Sequence, residues 1–242
     1  MSAYNQTVAS ITFRAVLGRR RALLFAIPAL VLIGTAAVLR LTHPADPAWP
    51  ARILGSFGFS VVLPLTALII GTSVLGAEIE DGSIIHVLAT PVRRRAVILT
   101  KYVVAVATTV VFACVPELLA GIIATGGLTR FAVGLFVGAL AGAVIYNALF
   151  VSLSAATTRA LAVGLLYVLL WEGVLANFTG GARVLSIGHY ALAMAVAVAP
   201  GSGIDPGISL AAACVLGGVV TVAALVLAIR KLSAFSLRAD AA

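Results

Sequence analysis

Two carboxylic acids, Glu117 and Glu172, sit inside long apolar runs, and three more, Glu78, Glu80 and Asp81, crowd the polar break between two such runs. An acid inside a membrane segment is costly to keep charged, and it ordinarily faces a cavity, a partner group or a proton path. Glu172 therefore carries two readings. One is functional, a polar element of a translocation path or a proton-linked group, and the other is a carboxyl protonated or hydrogen-bonded to Tyr167, Trp171 or a neighbouring helix for packing. Glu117, beside Pro116, carries the same pair. With Asn147 and Tyr167 they form the candidate path residues: Glu172, Tyr167, Asn147 and Glu117.

Other catalytic arrangements are missing from the sequence. His43, His86 and His189 are far apart and lack zinc-ligand spacing, so no metal site is expected. There is no Gly-x-Ser-x-Gly elbow. The phosphate-cradling GxxxxGK[ST] loop is absent too, since Thr100 and Arg230 precede the two lysines, Lys101 and Lys231, where that loop needs glycine. Cys114 and Cys214 both lie in apolar runs, which excludes a disulfide framework.

The elements that position these residues are membrane helices. The chain has 242 residues, 62% hydrophobic and 10% charged, against roughly 45–50% apolar and about 25% charged in soluble domains. It has room for about six spans of about 20 apolar residues each, and little remains for a soluble domain. The net charge of +8 reads as the positive-inside bias rather than as a nucleic-acid surface. Residues 4–19 show helical periodicity in Val8, Ile11 and Ala15, with arginines close by, the pattern of an interfacial amphipathic helix. The N-terminus shows no small-residue cleavage site, so a cleaved signal peptide is not expected. Spans are expected at about 22–41, 53–77, 96–119, 131–153, 161–178 and 207–229. The segment 184–200 is read as one or two short helices dipping into the outer leaflet rather than as a seventh span. Such a piece is tolerated only where protein or water covers its backbone ends. With the N-terminus inside, twelve cations lie on the cytoplasmic side and four outside, which puts both termini in the cytoplasm. Gly134, Gly138 and Gly142 form a stripe on span 4 that admits a closely packed helix, expected from the same chain. The fold class is thus an all-α integral membrane protein, a single transmembrane domain over 1–242.

The connection between spans 2 and 3 is too elaborate for a simple turn. It reads EIEDGSIIHVLATPVRRRAVILTK from Glu78 to Lys101. Asp81 or Ser83 can cap a helix start, and the acids suit its positive dipole end. Ile84, Val87 and Leu88 share one face, and Pro91 ends the helix near Thr90. The product is a helix of about two turns with an apolar face between acidic and basic flanks, a shape suited to a groove on a partner protein.

An acid pair, Gly followed by Ser or Thr, a short helix, Pro, Arg and a following Lys resemble the linker of type 2 ATP-binding-cassette (ABC) transporter permeases. The matching residues are Glu78, Glu80, Gly82, Ser83, Pro91, Arg93 or Arg94, and Lys101, with Asp81, Ile84, Val87 and Leu88 completing the segment. Ser83 stands where the family usually has Thr, and an arginine fills the small polar position that follows Val92. The resemblance implies a six-span exporter subunit with a cytoplasmic coupling helix and an extracellular helical segment before span 6. Two permease chains, identical or sister subunits, would form the pathway. Two separate ATPase subunits would carry ATP and Mg, and this chain would bind no cofactor and catalyse nothing itself. Its home would be a bacterial inner membrane, with lipid and not nucleic acid as surroundings. Two other classes remain: a proton-coupled secondary transporter using Glu172 and Glu117, and a membrane enzyme or assembly factor without a transport role.

Overall fold

The computed structural model describes residues 19–43, 48–80, 94–176 and 181–239, with the backbone alone at 19–24, 76–80, 94 and 233–239. Every regular element among them is helical. Helix α1 is Arg19–Thr42. Helix α2 covers 49–80 as Trp49–Ile53, a π-helical stretch Leu54–Val62, and Leu63–Glu80. Helix α3 covers 94–125 as Arg94–Thr109, π-helical Val110–Cys114, and Val115–Thr125. Helix α4 is Arg130–Ala156, and α5 covers 160–175 as Ala160–Leu166 and π-helical Tyr167–Leu175. A 3-10 turn, Ala182–Leu185, leads into α6, Ile187–Val198, and α7 is Leu210–Ala239. The expected interfacial helix at 4–19 and the coupling helix within 81–93 lie outside the described residues.

Five of these helices, within α1, α2, α3, α4 and α7, are long and apolar enough to cross a bilayer. The run expected as span 5 gives a shorter apolar helix, Ala160–Leu175, and the run 184–200 gives Ile187–Val198. At 1.5 Å per residue these reach about 24 and about 18 Å, both short of the roughly 30 Å hydrocarbon core. The last helix starts at Leu210, three residues beyond the expected 207. Asp205 Oδ1 accepts from Gly207 N at 2.9 Å, and Gly207 has φ +65°, so a turn occupies the start of that apolar run.

The helices define two ends. One, the linker end, is where α2 ends, α3 begins and 157–159 join α4 to α5, and the other, the loop end, holds the end of α1, the start of α2 and the connections at 126–129 and 199–209. At the loop end Gly126 closes α3 with φ +77°, its N–H donating to Ile122 O at 2.8 Å. Arg40 Nη1 donates to Ala124 O at 3.0 Å, placing a cation at the negative end of that helix and tying α1 to α3.

Helix α4 is the central post, packed by α2, α3, α6 and α7. Between helices in lipid there is little water to expel, so association rests on close packing. The glycine stripe provides it. A Cβ at Gly134 would lie 2.7 Å from Ala195 O, one at Gly138 2.5 Å from Ala191 O, and one at Gly142 3.1 Å from Ala191 Cβ. The close partner is therefore α6 of the same chain, and the register runs its first residues deep and its last residues to the loop end. One core cluster centres there on Phe59, Leu63, Leu135, Tyr146 and Tyr190. A second joins Phe25, Ile70, Leu75, Ile98, Val151 and Ala228 toward the linker end.

This packing has a direct test. Gly138→Ala should cost about 1–3 kcal/mol, because neither the Ala191 carbonyl nor its helix can move aside alone. Gly218→Ala, on α7 where a Cβ would meet nothing within 4 Å, should be neutral or stabilising by about 0.5–1 kcal/mol. Thermal unfolding of the two variants in one detergent measures the difference, and equal behaviour would contradict the α4–α6 register.

Candidate functional site

A helix that starts inside the membrane exposes N–H groups with no intrahelical partner, and they must be satisfied by protein. For α6 the partners are Ser186 and Glu172. Ser186 is the N-cap, accepting from His189 N at 3.3 Å. Glu172, reaching across from α5, accepts from Ile187 N at 2.9 Å and Gly188 N at 3.4 Å. The same carboxylate accepts from Ser186 Oγ at 2.5 Å and from the Tyr167 hydroxyl at 3.1 Å. His189 Nδ1 lies 2.9 Å from Ser186 Oγ. The Tyr146 hydroxyl of α4 also faces this carboxylate. A negative group at the first turn of a helix also meets the positive end of its dipole.

The local backbone explains the aim of these side chains. Tyr167 and Glu172 are five residues apart, poorly aligned on an α-helix, but they lie within the π-helical stretch of α5, whose i→i+5 spacing brings them together. Trp171 does not reach Glu172. Its Nε1 donates to Leu185 O at 3.2 Å, and Tyr190 OH donates to Val184 O at 2.6 Å, so the 3-10 turn is pinned from both sides.

Glu117 has the opposite surroundings. It is 0% exposed, and neither carboxyl oxygen has a hydrogen-bond partner among the described residues. A Cβ at Gly58 would overlap its Oε1, so the carboxyl group is seated directly against this glycine. Gly58 belongs to the π-helical stretch of α2. The next residue, Phe59, presents its carbonyl 3.4 Å from where a Gly188 Cβ would stand, beside the Glu172 site. One widened stretch thus separates the two acids. Pro64 and Pro116 each follow a π-helical stretch by two residues, where their missing N–H and ring clash with the i−4 position are relieved. Pro28 sits in regular α1, so proline alone does not force the widening.

Asn147 is enclosed by its own subunit. Its Nδ2 donates to Thr109 Oγ1 at 2.9 Å and to Ala143 O at 2.8 Å, bridging α4 to α3. Of the four candidate path residues, the structure therefore joins Glu172 to Tyr167 and gives Asn147 and Glu117 separate settings. Ser186, Gly188, Gly58 and Thr109 were missed by sequence reasoning. The Ser-x-x-His pattern at 186–189 could have flagged the cap, but nothing in the sequence marks Gly58.

At the linker end, Lys101 is 1% exposed and its Nζ donates to Val74 O at 2.8 Å, fastening α3 to α2. Val74 lies one turn before Glu78 on α2, and Glu80 ends that helix. Arg94 opens α3. Asp81, Gly82, Ser83, Ile84, Val87, Leu88, Pro91 and Arg93 lie outside the described residues. No group of three or more metal-ligating side chains occurs among the described residues.

Replacing Glu172 by Gln turns an acceptor into an NH2 group facing N–H and O–H donors. Glu172→Gln should lower stability by about 1–3 kcal/mol, and Ser186→Ala by about 1 kcal/mol. Thermal unfolding of the detergent-solubilised chain reads both, and an unchanged Glu172→Gln midpoint would dismiss the carboxylate as the anchor of α6.

No curated protein matches the chain. The model of the ABC-2 family transporter proteins matches residues 17–178, which hold α1 through α5, the 81–93 connection and Glu172. That match covers most of the sequence, so this multi-pass chain, the membrane component of a transporter, belongs to the ABC-2 family.

Proposed function

We propose that this chain is the permease subunit of an ABC exporter, working as a pair of permeases and driven by two separate ATPase subunits through the 78–95 segment. The observation that carries this reading is the family match over the α2–α3 hairpin together with the Glu78–Lys101 linker pattern at its turn. Lys101 supports it physically. A buried ammonium bonded to Val74 O holds α2 and α3 together just behind the linker, so a push on 81–93 is delivered to two helices as one body.

The cation bias supports a cytoplasmic linker end, with both termini on that side of a bacterial inner membrane. In this reading α5 and the segment after it complete a sixth crossing, and α6 returns to the outer face. Leu161, Leu166, Leu169 and Leu170 are exposed on α5 and suit a contact with a second permease within the bilayer. Glu172 and Tyr167, on that helix, are the polar groups nearest such a path. The enclosed settings of Glu117 and Asn147 assign them to the interior of one subunit.

Co-expression with a candidate ABC ATPase subunit tests the proposal. Glu80→Ala and Leu88→Asp should leave the chain inserted and monodisperse while weakening ATPase retention at least about tenfold, about 1.4 kcal/mol. Normal retention in both would sink the coupling assignment. ATP-independent transport that collapses with an uncoupler would favour a secondary transporter instead.

A further inference from the structure

The two buried acids differ in one respect that decides their chemistry: the supply of donors. Glu172 accepts from Tyr167, Ser186, Ile187 and Gly188. Glu117 lies about 12 Å inside the loop end of α3 at 1.5 Å per residue and accepts from none of the described residues. An ionised carboxylate left there would lose its hydration with nothing in exchange, a cost of several kcal/mol or more. A carboxylic acid carrying its proton avoids most of that cost.

We propose that Glu117 is a proton-binding site, a neutral carboxyl group seated against Gly58 between α2 and α3. Two features support a working site rather than a filled gap. The carboxyl group sits directly on the glycine, in the space that a Cβ at position 58 would occupy. The α2 backbone is also π-helical there, a widening that recurs at functional sites.

The titratable groups on the surrounding elements do not neutralise it. Cys114, one turn earlier on α3, is electrostatically coupled to Glu117 and is itself an acid. Arg40 of α1 directs its guanidinium to Ala124 O. Arg52 and Arg130 stand at the loop-end starts of α2 and α4. In the packed state the proton stays on the carboxyl. When α2 parts from α3 and water enters, the O–H bond breaks, the proton passes to water and the carboxylate remains hydrated. Proton occupancy and closure of the hairpin are then linked.

Infrared difference spectroscopy of the full chain in lipid nanodiscs tests this without any ATPase, so its failure is distinct from failure of the coupling reading. A C=O stretching band of an unionised carboxylic acid should be present at neutral pH, shift in D2O, vanish in Glu117→Gln and persist in Glu172→Gln. If Glu117→Gln fails to assemble, Glu117→Asp should move the band instead. A band unaffected by both Glu117 variants would overturn the proposal. So would its loss on adding sodium at constant pH, which would make the ligand a metal cation.

Discussion

The structure depends on how one helix begins. Helix α6 starts at membrane depth, where its first N–H groups cannot turn to water, and a side chain from another helix has to meet them. Glu172 does so from α5, with Ser186 as the cap. Much else follows from that contact. The π-helical stretch of α5 is what lets Tyr167 and Glu172 share a face. The glycine stripe of α4 lets α6 lie close enough to remain in the carboxylate's reach, and Gly188 itself cannot take a Cβ without crowding Glu172 Oε2 at 3.1 Å.

The same stretch of α2 serves both acids. Gly58 makes space for Glu117, and the Phe59 carbonyl closes over Gly188. Adjacent residues on one widened turn therefore lie against one acid and beside the site of the other, the first deprived of donors and the second richly supplied with them. A displacement of α2 along or away from α3 would be felt at both. At the other end of α2, Lys101 fastens the same pair of helices through Val74 O. The α2–α3 hairpin is thus fastened by an ammonium near the linker and encloses, nearer the loops, a carboxyl group with no hydrogen-bond partner among the described residues.

What the sequence made legible follows from range. Long apolar runs showed the membrane helices because composition over twenty residues is a local property. Gly82, Ser83 and Pro91 made the linker readable because each is a strong punctuation mark in the chain. The stripe at Gly134, Gly138 and Gly142 was visible as a close-packing face, but its partner α6 lies two elements further along the chain, beyond the range of a local pattern. Glu172 was recognisable as an acid that needs a partner. That its partners would be two main-chain N–H groups and Ser186 depends on tertiary placement. The π-helical stretches were hidden for a different reason, since one extra residue per turn over five to nine residues barely disturbs apolar periodicity. The 205–207 turn was overlooked because the apolar run around it outweighed a single Asp-Pro-Gly.

The unequal helix lengths have a consequence for the lipid itself. Helix α4, at 27 residues, reaches about 40 Å, while α5 reaches about 24 Å. A bilayer that matches the long helices is mismatched to α5, and tilting or local thinning meets the difference at a cost of a fraction of a kcal/mol per Å. Covering the apolar side of α5 with protein removes lipid from the thin flank and relieves that mismatch. Elastic deformation of the bilayer therefore favours association along α5, independently of any contact specific to the partner.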